Sequence, residues 1–120
     1  MKAELLVDCK NMLGEGVRWH VDSQRLFWVD IQQAQLWSCD ADGRDQRRWQ
    51  LPERIAAFAF TDSPQLLIAL ASGFALFEPD TGAISRLQEF EPGKPTTRLN
   101  DSTTDRAGNF ICGGMDEKAM

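Results

Sequence analysis

The apolar positions of this chain fall in short runs rich in Val, Ile, Phe and Trp, and polar turn residues separate one run from the next. Such runs are typical of strands, and none carries the i, i+3, i+4 stripe of an amphipathic helix. The segments between them join Asp to Ser, Pro or Gly, which favours tight turns. The pattern predicts an all-β fold with eleven strands. They cover residues 5–9, 16–20, 25–31, 35–40, 46–50, 55–61, 65–71, 74–78, 84–89, 102–105 and 109–112.

Part of the chain repeats itself with a separation of 40 residues. Four pairs share this separation: Asp22 and Asp62, Leu26 and Leu66, Leu36 and Leu76, and Asp40 and Asp80. The pairs align whole units of strand, turn, strand, connector, strand, Asp-Gly hairpin and strand. A period of ~40 to 50 residues that holds four short strands is typical of a β-propeller blade.

The repeat divides the chain into blade-like units at residues 14–53 and 54–97 and a partial unit at residues 98–120. Blades bury their faces against neighbouring blades, and a propeller typically has 4–8 of them. About two and a half blades cannot close such a ring. We therefore expect these 120 residues to be the N-terminal part of a longer propeller. The alternative is a half-propeller that closes its ring with further copies or with another chain.

Composition and charge narrow the possible partners. With 42% hydrophobic and 26% charged residues, the chain has the material for a folded core. Its net charge is -5, and Asp42 and Asp45 interrupt the densest basic cluster, Arg44, Arg47 and Arg48. A nucleic-acid partner is therefore not expected, since it needs clustered cations. No run approaches the ~18 apolar residues of a membrane span, so a membrane partner is not expected either.

The cysteines and the first residues bear on location. Cys9, Cys39 and Cys112 are odd in number and far apart, which favours reduced thiols over a disulfide framework or a zinc site. Glu4 and Asp8 interrupt the stretch that would have to be the apolar region of a signal peptide. A cytoplasmic location is expected.

Two segments carry candidate chemistry. Glu15 lies between two glycines in the run Leu-Gly-Glu-Gly at residues 13–16, where the backbone can turn sharply. On the residues alone, the alternative to a functional role is that Glu15 is a solvent-exposed carboxylate in a turn. Further along, Arg98 and Asn100 point to one face of an extended chain, which suits a hydroxyl-rich ligand. An edge-strand salt bridge between Arg98 and Asp101 explains the same residues equally well.

Other candidates are weaker. His20 has no second His or Cys nearby that would complete a metal site. The four Trp lie one per strand, which favours packing between blades over a stacking platform for a ligand. They are Trp19, Trp28, Trp37 and Trp49. The glycine-rich run at residues 108–114 lacks the Lys and the helix of a phosphate loop.

The two candidate segments resemble the SMP-30, gluconolactonase and regucalcin-like lactonases, and the resemblance covers essentially the whole chain. The matching positions are Leu-Gly-Glu-Gly at 13–16, Trp19, the run at 25–31, Arg-Leu-Asn-Asp at 98–101, Asp105, Ala-Gly at 107–108 and Gly-Gly-Met at 113–115. Membership would imply a six-bladed propeller. It would also imply that the complete protein hydrolyses a sugar lactone.

By this resemblance, Glu15 is one ligand of a divalent metal in the central channel, and Arg98 and Asn100 contact the substrate. Ca²⁺ is favoured because it takes oxygen ligands, with Zn²⁺ and Mn²⁺ as alternatives. The other metal ligands and the catalytic base are expected downstream of residue 120, and those roles are not transferred to Asp101 or Asp105. The alternative function is a non-catalytic propeller that binds calcium or a protein. Oligomeric state, the particular lactone and the particular metal are left open.

Four positions depart from the pattern of that family. Val17 stands where relatives often carry Pro, and Ser102 where they often carry Gly, which matters if that backbone needs a positive φ. Gly114 replaces the Thr of a Gly-Thr-Met run. Lys118 stands at or beside an acidic substrate contact of some members. These departures bear on substrate identity more than on fold.

Overall fold

Ten strands form the regular structure of residues 2–118, the part of the chain that the computed structural model describes. Within these residues there is no helix, and so none that is long and apolar enough to cross a membrane. The all-β prediction is confirmed. The strands are β1 Gly14–His20, β2 Arg25–Asp30, β3 Gln35–Asp40, β4 Arg47–Gln50, β5 Ile55–Phe60, β6 Leu66–Leu70, β7 Gly73–Phe77, β8 Ile84–Glu89, β9 Thr97–Thr104 and β10 Phe110–Asp116.

The strands form three antiparallel sheets. The first has the order β1-β2-β3-β4, the second has the order β5-β6-β7-β8, and β9 pairs with β10 in the third. The first strand of each sheet contacts the first strand of the next, since β1 packs beside β5 and β5 beside β9. Later strands of each sheet lie progressively farther from this row. The predicted third unit extends to residue 120, and its residues 119 and 120 lie outside the described residues.

Large side chains fill the space between the first two sheets. Phe27, Val29 and Leu36 of the first sheet pack against a group that includes Phe58 and Ile68 of the second sheet. Burial of such side chains stabilises a fold by about 2 kcal/mol each. Apolar burial therefore holds the first two sheets against each other.

Small side chains line the other face of the second sheet. Ala56, Ala57 and Ala69 pack against the fully buried Leu99 of β9. Because alanine projects only a methyl group, β9 can approach β5 closely. Leu99 also donates its backbone N–H to the Ala71 carbonyl, at 3.3 Å.

The structural repeat differs from the repeat predicted by sequence. Phe27 pairs with Ser38 across the β2–β3 hairpin, and Leu66 pairs with Phe77 across the β6–β7 hairpin, so equivalent positions of these two hairpins are 39 residues apart. The 40-residue alignment of Leu26 with Leu66 is wrong here, because Leu26 is half-buried and Leu66 is buried. A slip of one residue exchanges the two faces of a strand.

Two strand predictions near the ends of the chain are also wrong. Residues 5–9 form no strand, and Leu5 and Leu6 are exposed. A strand requires a pairing partner, and β1 pairs only with β2 among the described residues. By contrast, β9 begins at Thr97, where the sequence predicted a strand only from residue 102. Burial of Leu99 and pairing with β10 extend this strand through polar residues.

Of the four Trp, one packs between sheets. Trp49 on β4 packs edge-on against Phe77 of the second sheet, with ring centroids 5.9 Å apart, and lies against the core between the first two sheets. Trp28 and Trp37 stack on each other within the first sheet at 5.9 Å, and Trp19 is 38% exposed. The prediction of packing between blades is confirmed for Trp49 alone.

A fully buried carboxylate ties the segment before β1 to the end of β2. Asp30 accepts hydrogen bonds from the backbone N–H groups of Met12 at 2.9 Å and Leu13 at 3.1 Å. It also accepts bonds from the backbone and side-chain nitrogens of Gln33, at 3.3 and 2.6 Å. Burial by itself raises the pKa of Asp30, but these hydrogen bonds together outweigh it and lower the pKa below its ordinary value.

We predict that Asp30→Ala lowers the free energy of unfolding of the whole protein by about 3 kcal/mol, because buried N–H groups lose their acceptor. Denaturant unfolding at pH 7 measures this. Asp42→Ala, in an exposed turn, serves as the control and should cost within about 0.5 kcal/mol. Equal losses in the two variants would contradict the role of Asp30.

The contribution of Asp30 to the free energy of unfolding depends on pH, because the ionised carboxylate is the form that these hydrogen bonds favour. Its pKa is lower in the folded protein than in the unfolded chain, so the contribution is complete above the ordinary value of 3.8. It is lost as the pH falls from there through the folded-state pKa. The gap in stability between wild type and Asp30→Ala should therefore shrink only in acid.

Candidate functional site

The three innermost strands begin at one end of the sheets. The ring of Phe58 on β5 lies 4.0 Å from the position that a Cβ on Gly16 of β1 would occupy. Further along β1, the Arg18 guanidinium donates from Nη2 to the Ser102 carbonyl of β9 at 3.3 Å. At the ends of β1 and β5, the ring of His20 lies 4.4 Å from that of Phe60, so these two strands run in the same direction. β9 begins beside the start of β5, because Arg98 on β9 and Arg54 just before β5 both contact Glu117. We call the end at which the three strands begin the starting rim.

Glu15 lies on β1 at the starting rim. A β-bulge separates Glu15 from Arg18 in the pairing with β2, and Gly16 within it has a φ of 67°. Bulges of this kind redirect neighbouring side chains. The Glu15 carboxylate is exposed, and none of the ion pairs found among residues 2–118 involves it.

As a metal ligand, Glu15 fits the chemistry of a hard cation but supplies only one position. Its carboxylate oxygens are the donors that Ca²⁺ prefers. Residues 2–118 contain no group of three or more His, Cys, Asp or Glu side chains that could hold a metal ion. Glu15 is therefore not part of a complete cluster of such side chains within residues 2–118.

Arg98 and Asn100 lie on one face of β9, as their spacing predicted. The Arg98 side chain is 7% exposed, and its Nη1 donates to the Leu99 carbonyl at 3.0 Å and to Asn100 Oδ1 at 3.2 Å. The salt bridge to Asp101 is not formed, since Asp101 instead accepts a bond from the Ser102 backbone N–H at 2.8 Å. The nearest acid to Arg98 is Glu117, whose Oε2 lies 3.5 Å from Arg98 Nε.

Sequence reasoning missed the partner of that acid. Arg54, just before β5, donates to Glu117 Oε2 at 2.8 Å and to Oε1 at 2.7 Å. The hydrogen bond from Arg54 holds the pKa of Glu117 below its ordinary value and that of Arg54 above its own. No motif could have revealed this pair, because 63 residues separate its members.

A groove of about 750 Å³ opens beside Arg54, between the second sheet and the loop before β9. Its other cations, Arg86 and Lys94, are each paired with an acid. Arg86 meets Glu53 at 2.7 Å, and Lys94 meets Glu91 at 3.2 Å. The groove therefore offers no unneutralised basic cluster to an anion.

The departures from the family pattern have structural consequences of different size. Ser102 is not among the residues with positive φ, so serine causes no backbone strain there. At Gly114, a Cβ would collide with the ring of Phe90, which accounts for glycine at this position. Lys118 is exposed beside Glu117 and donates its backbone N–H to Asp116 Oδ1 at 3.0 Å.

The weaker candidates lie away from the rim or have local roles. His20 is at the far end of β1, where its Nδ1 lies 2.6 Å from Ser23 Oγ and its ring lies 4.4 Å from that of Phe60. The glycine-rich run at residues 108–114 forms part of a turn and most of β10.

Comparison with known proteins identifies the family. Residues 13–120 match the family described as the SMP-30/Gluconolactonase/LRE-like region. The chain belongs to this family. Among curated proteins, it is 50% identical to an L-arabinolactonase of Azospirillum brasilense over 98% of this chain and 39% of that protein. It is 32% identical to a 6-deoxy-6-sulfogluconolactonase of Pseudomonas putida over 88% of this chain and 36% of that protein.

Solved structures agree on the fold. A calcium-binding protein, regucalcin, from Agrobacterium tumefaciens superposes with a TM-score of 0.84 at 30% identity, over 92% of this chain and 37% of that one. A luciferin-regenerating enzyme superposes with a TM-score of 0.82 at 22% identity and supports the fold alone. The predicted partial β-propeller and the predicted family are confirmed. The chain spans well under half the length of these relatives.

We predict that Gly16→Ala lowers the free energy of unfolding by about 1 kcal/mol, because a side chain at this φ is strained even where there is space for it. Gly113→Ala is the matched control, since its φ is not positive and its Cβ would meet nothing within 4 Å. Denaturant unfolding of the whole protein compares the two. Equal stability of the variants would contradict a strained bulge at Gly16.

Proposed function

We propose that the whole protein hydrolyses a sugar lactone, with Glu15 as one ligand of a divalent metal and Arg98 and Asn100 as substrate contacts. The units at 14–53, 54–97 and 98–120 are, in this proposal, successive blades of a six-bladed ring. One observation carries it. The starting rim holds an exposed carboxylate that joins no ion pair within residues 2–118, and a buried arginine hydrogen-bonded to an asparagine, on innermost strands of the same propeller.

The names of the relatives support this substrate class. Two of them are called lactonases, an L-arabinolactonase and a 6-deoxy-6-sulfogluconolactonase, and the 50% identity to the first extends over nearly the whole of this chain. The solved regucalcin is described as calcium-binding, which favours Ca²⁺ over Zn²⁺ or Mn²⁺. Cys9, Cys39 and Cys112 are free thiols, in keeping with the proposed cytoplasmic location.

The hydrogen bonds at the rim define what Arg98 and Asn100 can offer. Because Arg98 Nη1 is a donor, the Asn100 atom facing it must be the carbonyl oxygen. The Nδ2 amide of Asn100 is then directed elsewhere and can donate to a substrate oxygen. Arg98 is held by the same contact, so two donors are oriented together before a substrate binds.

A divalent metal bound at Glu15 would polarise the lactone carbonyl and activate a water for ring opening. In this scheme, Glu15 holds its position through the bulge, while Arg98 and Asn100 orient the sugar hydroxyls. The role of base is not transferred to Asp101 or Asp105, whose carboxylates already bond to the local backbone. Asp101 accepts a bond from Ser102, and Asp105 accepts bonds from the backbone N–H groups of Ala107 and Asn109 at 2.9 and 2.8 Å.

We predict that Glu15→Gln weakens Ca²⁺ binding at least about tenfold and lowers lactone hydrolysis in parallel, because an anionic ligand becomes neutral. Calorimetry measures the binding, and chelation should abolish wild-type turnover. Glu89→Gln, an exposed acid on β8, is the control. Unchanged binding and turnover in Glu15→Gln would contradict the metal role. Calcium binding by a wild-type protein that hydrolyses no lactone would favour the calcium-binding scaffold.

We predict that Arg98→Ala raises the KM for a sugar lactone on the order of tenfold, the effect of losing one charge-assisted hydrogen bond. Steady-state kinetics of the whole protein measure this change. Arg106→Ala, in an exposed turn of the same segment, should leave KM unchanged. An unaltered KM in Arg98→Ala would remove Arg98 from the proposed substrate site.

A further inference from the structure

The Arg98 guanidinium is buried but incompletely bonded. Its Nη1 has two acceptors, whereas its Nε is buried without a hydrogen-bond partner among the described residues. The 3.5 Å from Nε to Glu117 Oε2 is an ion pair but is too long for a good hydrogen bond. Arg98 therefore depends on the placement of Glu117 for its electrostatic stabilisation.

Arg54 determines where that carboxylate lies. Its two bonds to Glu117 use the planar fork of the guanidinium, which fixes both the position and the plane of a carboxylate. Both partners are also anchored through the backbone. The Arg54 carbonyl accepts a bond from Ala71 at 2.8 Å, and the Glu117 N–H donates to Thr96 at 2.9 Å.

The cluster of Arg54, Glu117 and Arg98 carries one net positive charge. Glu117 is shared by two guanidinium groups, and Arg54 holds it at the shorter distances. The carboxylate is thereby kept from moving closer to Arg98 and neutralising it fully. Arg98 remains fixed in place and still able to attract an electronegative group.

We propose that Arg54 is a positioning residue that acts through Glu117 to hold Arg98 in its substrate-binding orientation. This inference rests on the proposed function only in taking Arg98 as a substrate contact. A purely structural role, in which Arg54 and Glu117 merely join the second sheet to the third, is the competing explanation. The two differ in whether the effect of Arg54 on KM requires Arg98.

A double-mutant cycle on the whole protein distinguishes them. Arg54→Ala should raise KM about threefold to tenfold with little change in kcat. A change of this size is typical of the coupling between residues in one ion-pair network. In an Arg98→Ala background the same substitution should change KM no further. Arg54→Lys, which keeps the charge but not the fork, should recover KM only in part.

Arg86→Ala is the matched control, because it breaks a similar pair, with Glu53, in the neighbouring groove. It should leave KM unchanged and alter stability about as much as Arg54→Ala does. Equal effects of Arg54→Ala on KM with and without Arg98 would overturn the proposal. An unchanged KM in Arg98→Ala would instead contradict the proposed function.

A second measurement needs no turnover. The Nε–H proton of Arg98 can be followed by NMR, and its exchange with solvent reports how well the guanidinium is held. Exchange should become faster in Arg54→Ala and stay as in wild type in Arg86→Ala. Unchanged exchange in Arg54→Ala would overturn the positioning role even if the protein hydrolysed no lactone.

Discussion

Apolar packing between successive sheets is the constraint on which the rest of this structure depends. Phe27 and Val29 of the first sheet meet Phe58 and Ile68 of the second, and small alanines of the second sheet meet Leu99 of the third. Because each sheet is covered by its neighbour, the first strands of all three lie side by side. This packing brings the starts of β1, β5 and β9 to one rim, although they are far apart in the chain.

Local polar contacts then shape each part of the rim. Asp30 binds the backbone of Met12 and Leu13 and so fixes the chain just before Glu15. This explains physically why the Leu-Gly-Glu-Gly run and the run at residues 25–31, which contains Asp30, occur together. The first run supplies the exposed carboxylate of Glu15. The second run supplies the buried carboxylate of Asp30, which holds the start of β1 in place.

Polar groups at the third sheet are held across greater sequence distances. Arg98 and Asn100 bond within β9, whereas Glu117 after β10 is bound by Arg54 before β5. A buried guanidinium is costly to leave without a nearby anion, and β9 alone provides none that faces it. Because Arg54 and Arg98 both contact Glu117, the geometry of the candidate substrate site depends on the contact between the second and third sheets.

The sequence by itself determined the strand class, the turns, the family and the shared face of Arg98 and Asn100, because these depend on local periodicity or on contiguous motifs. Only the tertiary structure decided the features that depend on partners. Residues 5–9 have strand-like composition but pair with no strand among the described residues, and the β2–β3 hairpin recurs one residue sooner than the Leu26–Leu66 alignment indicated. The Arg54–Glu117 pair has no sequence signal at all, because only the packing of one sheet on the next brings its two charges together.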